Sequence, residues 1–319
     1  MEMVSTLADV AAQHDINHVL VAGDVFDGPG LATSVVRALL ARLGQIDRVT
    51  WHLLPGNHDP ATPRGIWERA RQIGIPSNVV VHLASEPVEI APGVLLLPAP
   101  LLAKKTDVDP TAWMDNADTS EDTIRIGLAH GGVIGFDTNE ESGSGGLIAP
   151  TRATDAKLNY LVLGDWHGVK QINSRCWYSG TPEPDRFPRN EPGNALVVNI
   201  AGPNAEPVVT PVVTRKFTWQ TDTITVSSAA DLDIITDDIR KLGAGAQQHL
   251  RELKLEGEIT LSERTTIEGR LEQMAAELFL LETKLAGLSV VAIQSDFESL
   301  GDGELHTVAE RLRARADDE

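Results

Sequence analysis

The stretch Leu53-Leu54-Pro55-Gly56-Asn57-His58-Asp59-Pro60 decides how this chain is read. Two leucines end an apolar run, a glycine lets the backbone turn sharply, and an amide, an imidazole and a carboxylate follow in consecutive positions. Three other apolar runs end in the same manner, at Gly23-Asp24-Val25-Phe26-Asp27, at His130-Gly131-Gly132 and at Gly164-Asp165-Trp166-His167-Gly168. Taken singly, Gly-Asp after a strand is an ordinary tight turn, and a strand-end histidine is ordinarily a hydrogen-bonded structural residue. Four such turns in one chain outrun that plain reading. In layered α/β folds the carboxyl ends of neighbouring strands share an edge, so turns far apart in sequence can converge there.

The collected side chains are Asp24, Asn57, His58, His130, Asp165 and His167, which are oxygen and imidazole donors without a thiol. Such a set favours Mn²⁺, Mg²⁺, Fe²⁺ or Zn²⁺ over thiophilic metals. A phosphodiester is the natural target of two such ions, one activating water and both neutralising the oxygens of an in-line displacement. The charge balance points the same way. Across 319 residues the formal net charge is −19, which repels phosphate backbones and excludes a basic-groove DNA reader, so a phosphate ester must be met by bound cations. With 42% hydrophobic and 23% charged residues the chain fills one large domain or two ordinary ones. The single cysteine, Cys176, excludes an internal disulfide and a thiolate metal cage and suits a reducing compartment. No apolar run approaches the roughly 18 residues of a membrane span, and the N-terminus lacks a secretion signal, so a cytoplasmic protein without a membrane partner is expected.

Short apolar runs punctuated by Gly and Pro prevail up to residue 213, and longer, densely charged runs follow. Domains at 1–213 and 214–319 are therefore expected. In the first, continuous Val and Leu runs at 17–22, 49–54, 79–83, 94–97, 124–129, 160–163, 196–200 and 208–213 read as strands covered on both faces, with helices at 31–43 and 65–73 between them. In the second, Leu253, Leu255, Ile259 and Leu261 fall at period two, flanked by helical spacing at Leu232, Ile235, Ile239, Leu242 and at Ile267, Leu271, Met274, Leu278, Leu281. Further strands at 217–226 and 285–293 complete a β-α-β-α-β order, and the tail from residue 304 reads as an amphipathic helix striped by Leu305, Val308 and Leu312. The run Ser142-Gly-Ser-Gly-Gly146 reads as a flexible loop, Trp166 as equally a site wall or core, and His14, His18, His52, His82, His249 and His306 as surface or core histidines outside any motif.

Gly23-Asp24-x-x-Asp27, Gly56-Asn57-His58-Asp59, His130-Gly131 and Gly164-x-x-His167 resemble the calcineurin-like metallophosphoesterase superfamily. The added C-terminal domain and Tyr178-Ser179-Gly180-Thr181-Pro182 resemble its SbcD-like DNA-repair exonuclease branch. The resemblance implies a layered α/β/β/α sandwich with a small α+β capping domain. It implies that Asp24 bridges two divalent ions, most naturally Mn²⁺, that Asn57 and His130 hold the second, that His167 holds the first, and that His58 protonates or stabilises the leaving oxygen. DNA is the implied substrate and an SMC-like ATPase the implied partner, with a homodimer left open. Two departures stand out. Asp165 occupies the position of a family histidine and ligates through oxygen, and the family's opening strand with Asp-x-His does not precede Asp24. An upstream strand of that kind is expected in a longer natural chain. The competing readings are a small-molecule phosphoesterase of the same superfamily and a non-catalytic subunit of an ATPase complex.

Overall fold

A computed structural model describes residues 2–135, 147–187, 190–293 and 303–316, and the expected loop at 142–146 lies outside these. The chain forms two compact units, Met1–Pro184 with Arg189–Arg215, and Lys216–Glu319 with Asp185–Pro188.

In the first unit the elements run α1 (Glu2–Gln13), β1 (His18–Val21), α2 (Thr33–Gly44), β2 (Thr50–Leu53), α3 (Ile66–Ile73), β3 (Val79–Val81), β4 (Val88–Ala91), β5 (Val94–Ala99), β6 (Ile124–His130), α4 (Arg152–Asp155), β7 (Tyr160–Gly164), β8 (Lys170–Asn173), β9 (Cys176–Tyr178), β10 (Asn194–Asn199) and β11 (Val208–Val213). Strands β1, β2 and β3 make a parallel sheet, and a six-stranded sheet has the order β4-β5-β6-β7-β9-β8, parallel from β5 through β9. Adjacent residues of one strand serve opposite layers. Val19 and Leu53 face α1, α2 and α3, joined there by Leu7, Val36, Leu40 and Trp67. Their neighbours Leu20 and Leu54 face the second sheet and meet Leu96, Leu128, Tyr160 and Val162. On that sheet's far side Leu97, Ala129 and Leu161 pack against Ala153 and Ala156. This helix, sheet, sheet, helix layering explains why the apolar runs are unbroken. The expected fold class holds, while β4, β8 and β9 were not anticipated, because each is short and alternates too little to rise above a turn.

The second unit contains β12 (Thr218–Val226), α5 (Asp233–Leu242), β13 (His249–Thr260), α6 (Leu261–Glu277), β14 (Leu280–Val291) and α7 (Glu304–Ala316), with β12, β13 and β14 parallel in that order. Ile235, Ile239, Ile267, Leu271 and Met274 cover Val226, Leu253, Leu255 and Ile259. Two expectations need correction here. Leu261 opens α6 instead of closing the strand, because the Thr260 side chain accepts the Glu263 amide and caps the helix. Leu278 and Leu281 leave the helix, which stops at Glu277, and Leu281 already belongs to β14. On α7, Val308 and Leu312 are exposed.

Candidate metal centre

All four glycine turns follow strands of the first unit, two from each sheet: β1 and β2 in one, β6 and β7 in the other. Their convergence demands very close backbone approach. A Cβ on Gly164 would stand 1.8 Å from the Ala22 carbonyl oxygen, and one on Gly56 would stand 2.2 Å from Asp24 Oδ1. Only glycine fits at these points, the first between the two sheets and the second between neighbouring turns of one sheet. Asp24 and Asp165 hold φ at +52° and +106°, conformations that cost a non-glycine residue roughly 1–3 kcal/mol and persist where surrounding contacts over-determine them.

His130, at the end of β6 and 1% exposed, is the hub. Its Nδ1–H donates to the Ala22 carbonyl at 2.7 Å, which fixes the ring and turns Nε2 toward the other turns. Around Nε2 stand Asn57 Oδ1 at 3.0 Å, Asp24 Oδ2 at 3.3 Å and Asp165 Oδ1 at 3.8 Å. Burial opposes the His130 imidazolium, yet the hydrogen bond and charge of Asp24, with the charge of Asp165, outweigh it and raise the pKa above the ordinary value. Burial likewise opposes ionisation of Asp24, and His130 together with the His58 amide more than offsets it, leaving that carboxyl below its usual range. The His58 backbone N–H donates to Asp24 Oδ1 at 2.9 Å.

Asp24, Asn57, His130 and Asp165 are thus brought together, and His58 is tied to them through its amide. His167 lies on the fourth turn, two residues beyond Asp165. Its backbone carbonyl accepts the Thr181 amide at 2.8 Å, so the Tyr178-to-Pro182 segment braces the fourth turn, and the Tyr178 hydroxyl donates to the Gly131 carbonyl at 2.8 Å. Trp166 packs on the core behind the second sheet. Among the described residues no three His, Cys, Asp or Glu side chains are placed to hold an ion, and the cluster is hydrogen-bonded onto His130. Its donor chemistry nevertheless fits a hard divalent cation. Two ligands about 2.1 Å from one ion and at right angles to each other lie about 3 Å apart, close to the Asn57 and Asp24 separations from Nε2.

Two carboxylates in the quoted motifs were given no role from the sequence. Asp27 stands 3.4 Å from His58 Nδ1, whose side chain is 45% exposed. Asp59 is fully buried, and burial raises its pKa to about 7 although the Gly56 and Phe26 amides favour the ion. The acidic residue directly after Asn-His is the available signal for Asp59, and the place of Asp27 three residues after Asp24 in the same motif is the signal for Asp27.

A two-sheet sandwich with imidazole, carboxylate and amide donors meeting at one strand edge has the donor chemistry of a hydrolase-type metal centre. The calcineurin-like phosphoesterase family profile matches residues 2–199, and the chain belongs to that family, whose members generally bind two divalent metal ions and hydrolyse phosphoester bonds. No curated protein matches the chain. Among the described residues no helix is long and apolar enough to cross a membrane.

Proposed function

We propose that this chain is a Mn²⁺-dependent DNA phosphodiesterase, an exonuclease of DNA repair, whose partner is an SMC-like ATPase. The observation that carries the hydrolytic part is the meeting of Asn57, Asp24 and Asp165 oxygens on His130 Nε2. The DNA part is supported by the Tyr178-to-Pro182 segment bracing the fourth turn and by a second compact unit. An ATPase that itself holds DNA would relieve this subunit of a basic face, in keeping with the charge of −19.

Asp24, Asn57, His130 and Asp165 would hold one ion, and Asp24 and His167 would hold a second. Bound metal supplies charge neutralisation and an activated water at the phosphorus. The chain supplies the rest. Asp27 orients His58 through Nδ1, leaving the other ring nitrogen to meet the leaving oxygen as acid or electrostatic stabiliser. The Ala22 carbonyl keeps His130 from rotating out of the site.

Incubation of the purified protein with Mn²⁺ and end-labelled linear DNA tests the reading, with a chromogenic phosphodiester alongside. Release of mononucleotides or short products from DNA supports it. Turnover of the small diester with DNA left intact replaces it by the small-molecule phosphoesterase reading.

A further inference from the structure

Asp59, fully buried, is the point at which two of the four turns are joined. Its Oδ1 accepts the Gly56 amide at 2.7 Å and its Oδ2 accepts the Phe26 amide at 3.0 Å. Its backbone carbonyl in turn accepts the buried Trp67 indole N–H, and the Trp67 ring leans on Phe26 with centroids 5.3 Å apart. One carboxylate therefore clamps the turn carrying Asp24 to the turn carrying Asn57 and His58, with α3 behind it. Asp24 needs such a clamp. Its φ of +52° is a conformation that an aspartate leaves unless held, and the amide two residues downstream, Phe26, is the one Asp59 holds.

We infer that Asp59 is a positioning residue whose two carboxylate oxygens set the Asp24 carboxylate against Asn57 and His130, so that ion affinity depends on a side chain that does not ligate. The inference rests on the proposed metal centre. What matters in it is the number of acceptor oxygens and not the space filled. Asp59→Asn keeps the shape but turns an NH₂ toward one of two backbone N–H groups, a donor against a donor. Asp59→Glu changes the length but keeps both acceptors.

The test is calorimetric titration of the full chain and both variants with Mn²⁺, beside amide hydrogen exchange on the metal-free proteins. Asp59→Asn is expected to weaken Mn²⁺ binding tenfold or more, with Asp59→Glu lying between it and wild type. Exchange at Phe26 and Gly56, slow in wild type, should quicken at least tenfold in Asp59→Asn. Wild-type affinity in Asp59→Asn, or an Asn variant closer to wild type than the Glu variant, overturns the inference. Should wild type itself take up no Mn²⁺, the metal centre fails as a reading, and exchange then decides the clamp alone. Fast exchange of both amides already in wild type refutes it even where neither variant folds.

Discussion

Acid should weaken the first unit through three histidines, His18, His52 and His82, that belong to no motif. His18 Nδ1 stands 3.1 Å from His52 Nε2, and His52 Nδ1 stands 3.0 Å from His82 Nε2, a line of rings crossing β1, β2 and the end of β3. His52 and His82 are 2% and 4% exposed. Burial pushes His82 down to about 4, and burial together with the charges of its two neighbours pushes His52 to about 3; His18 is lowered by burial. A neutral chain satisfies each N···N contact with a single proton, whereas an added proton sets donor against donor. The sign follows from linkage. The folded values lie below the unfolded value of about 6.5, so the folded state binds fewer protons, and stability is full above pH 6.5 and falls as pH drops toward 3–4. At pH 5 the unfolded imidazole is almost wholly protonated and the folded one is not. Each of His52 and His82 then removes about 2 kcal/mol, or about 4 kcal/mol together, an amount set mainly by the unfolded value. The assay is urea unfolding at pH 7.5 and pH 5.0, followed by tryptophan fluorescence, for wild type and for His52→Leu/His82→Leu. Carboxylates titrate in both proteins, so the comparison isolates the imidazoles. The double variant should lose markedly less stability between the two pH values than wild type. Equal losses would refute the reasoning.

At the proposed centre, His58→Ala should cut phosphodiester hydrolysis by a factor of roughly 10²–10⁴ while Mn²⁺ content stays near that of wild type, whereas Asp24→Ala should lose both, as activity and metal analysis on the same samples will show. Gly164→Ala places a methyl against the Ala22 carbonyl, and the backbone shift it forces should cost at least about 1–3 kcal/mol in denaturant unfolding. Tyr178→Phe deletes the hydroxyl that holds the buried Gly131 carbonyl and should lower stability by about 1–3 kcal/mol in the same measurement.

The parts of the fold that could be read in the sequence are those where burial acts on consecutive residues. Strands β1, β2, β6 and β7 are mostly apolar on both faces because two packed layers enclose them, and each announces its end with a glycine turn. Boundaries decided by single hydrogen bonds were not legible. The start of α6 hangs on the Thr260 hydroxyl, and the capping pair Thr260 and Glu263 is small beside the period-two run that precedes it. Leu278 and Leu281 fit a helix face as well as a strand, and an extended backbone at Leu278 settles the matter. The histidine line was hidden for a different reason. Its members are some thirty positions apart, and only the parallel register that pairs Leu20 with His52 and His52 with Val80 aligns them. At the site, the turns named their polar residues, but which of them meet depends on how two separate sheets face each other. Hence Asp165 could be placed beside His130, while Asp27 and Asp59 were quoted in motifs without a task.

Anomalous diffraction from crystals of the full chain equilibrated with Mn²⁺ tests the central claim most directly. The account predicts a peak bonded to His130 Nε2 and to oxygens of Asp24 and Asn57. Peaks confined to other places, with His130 still hydrogen-bonded to Asn57, would contradict it.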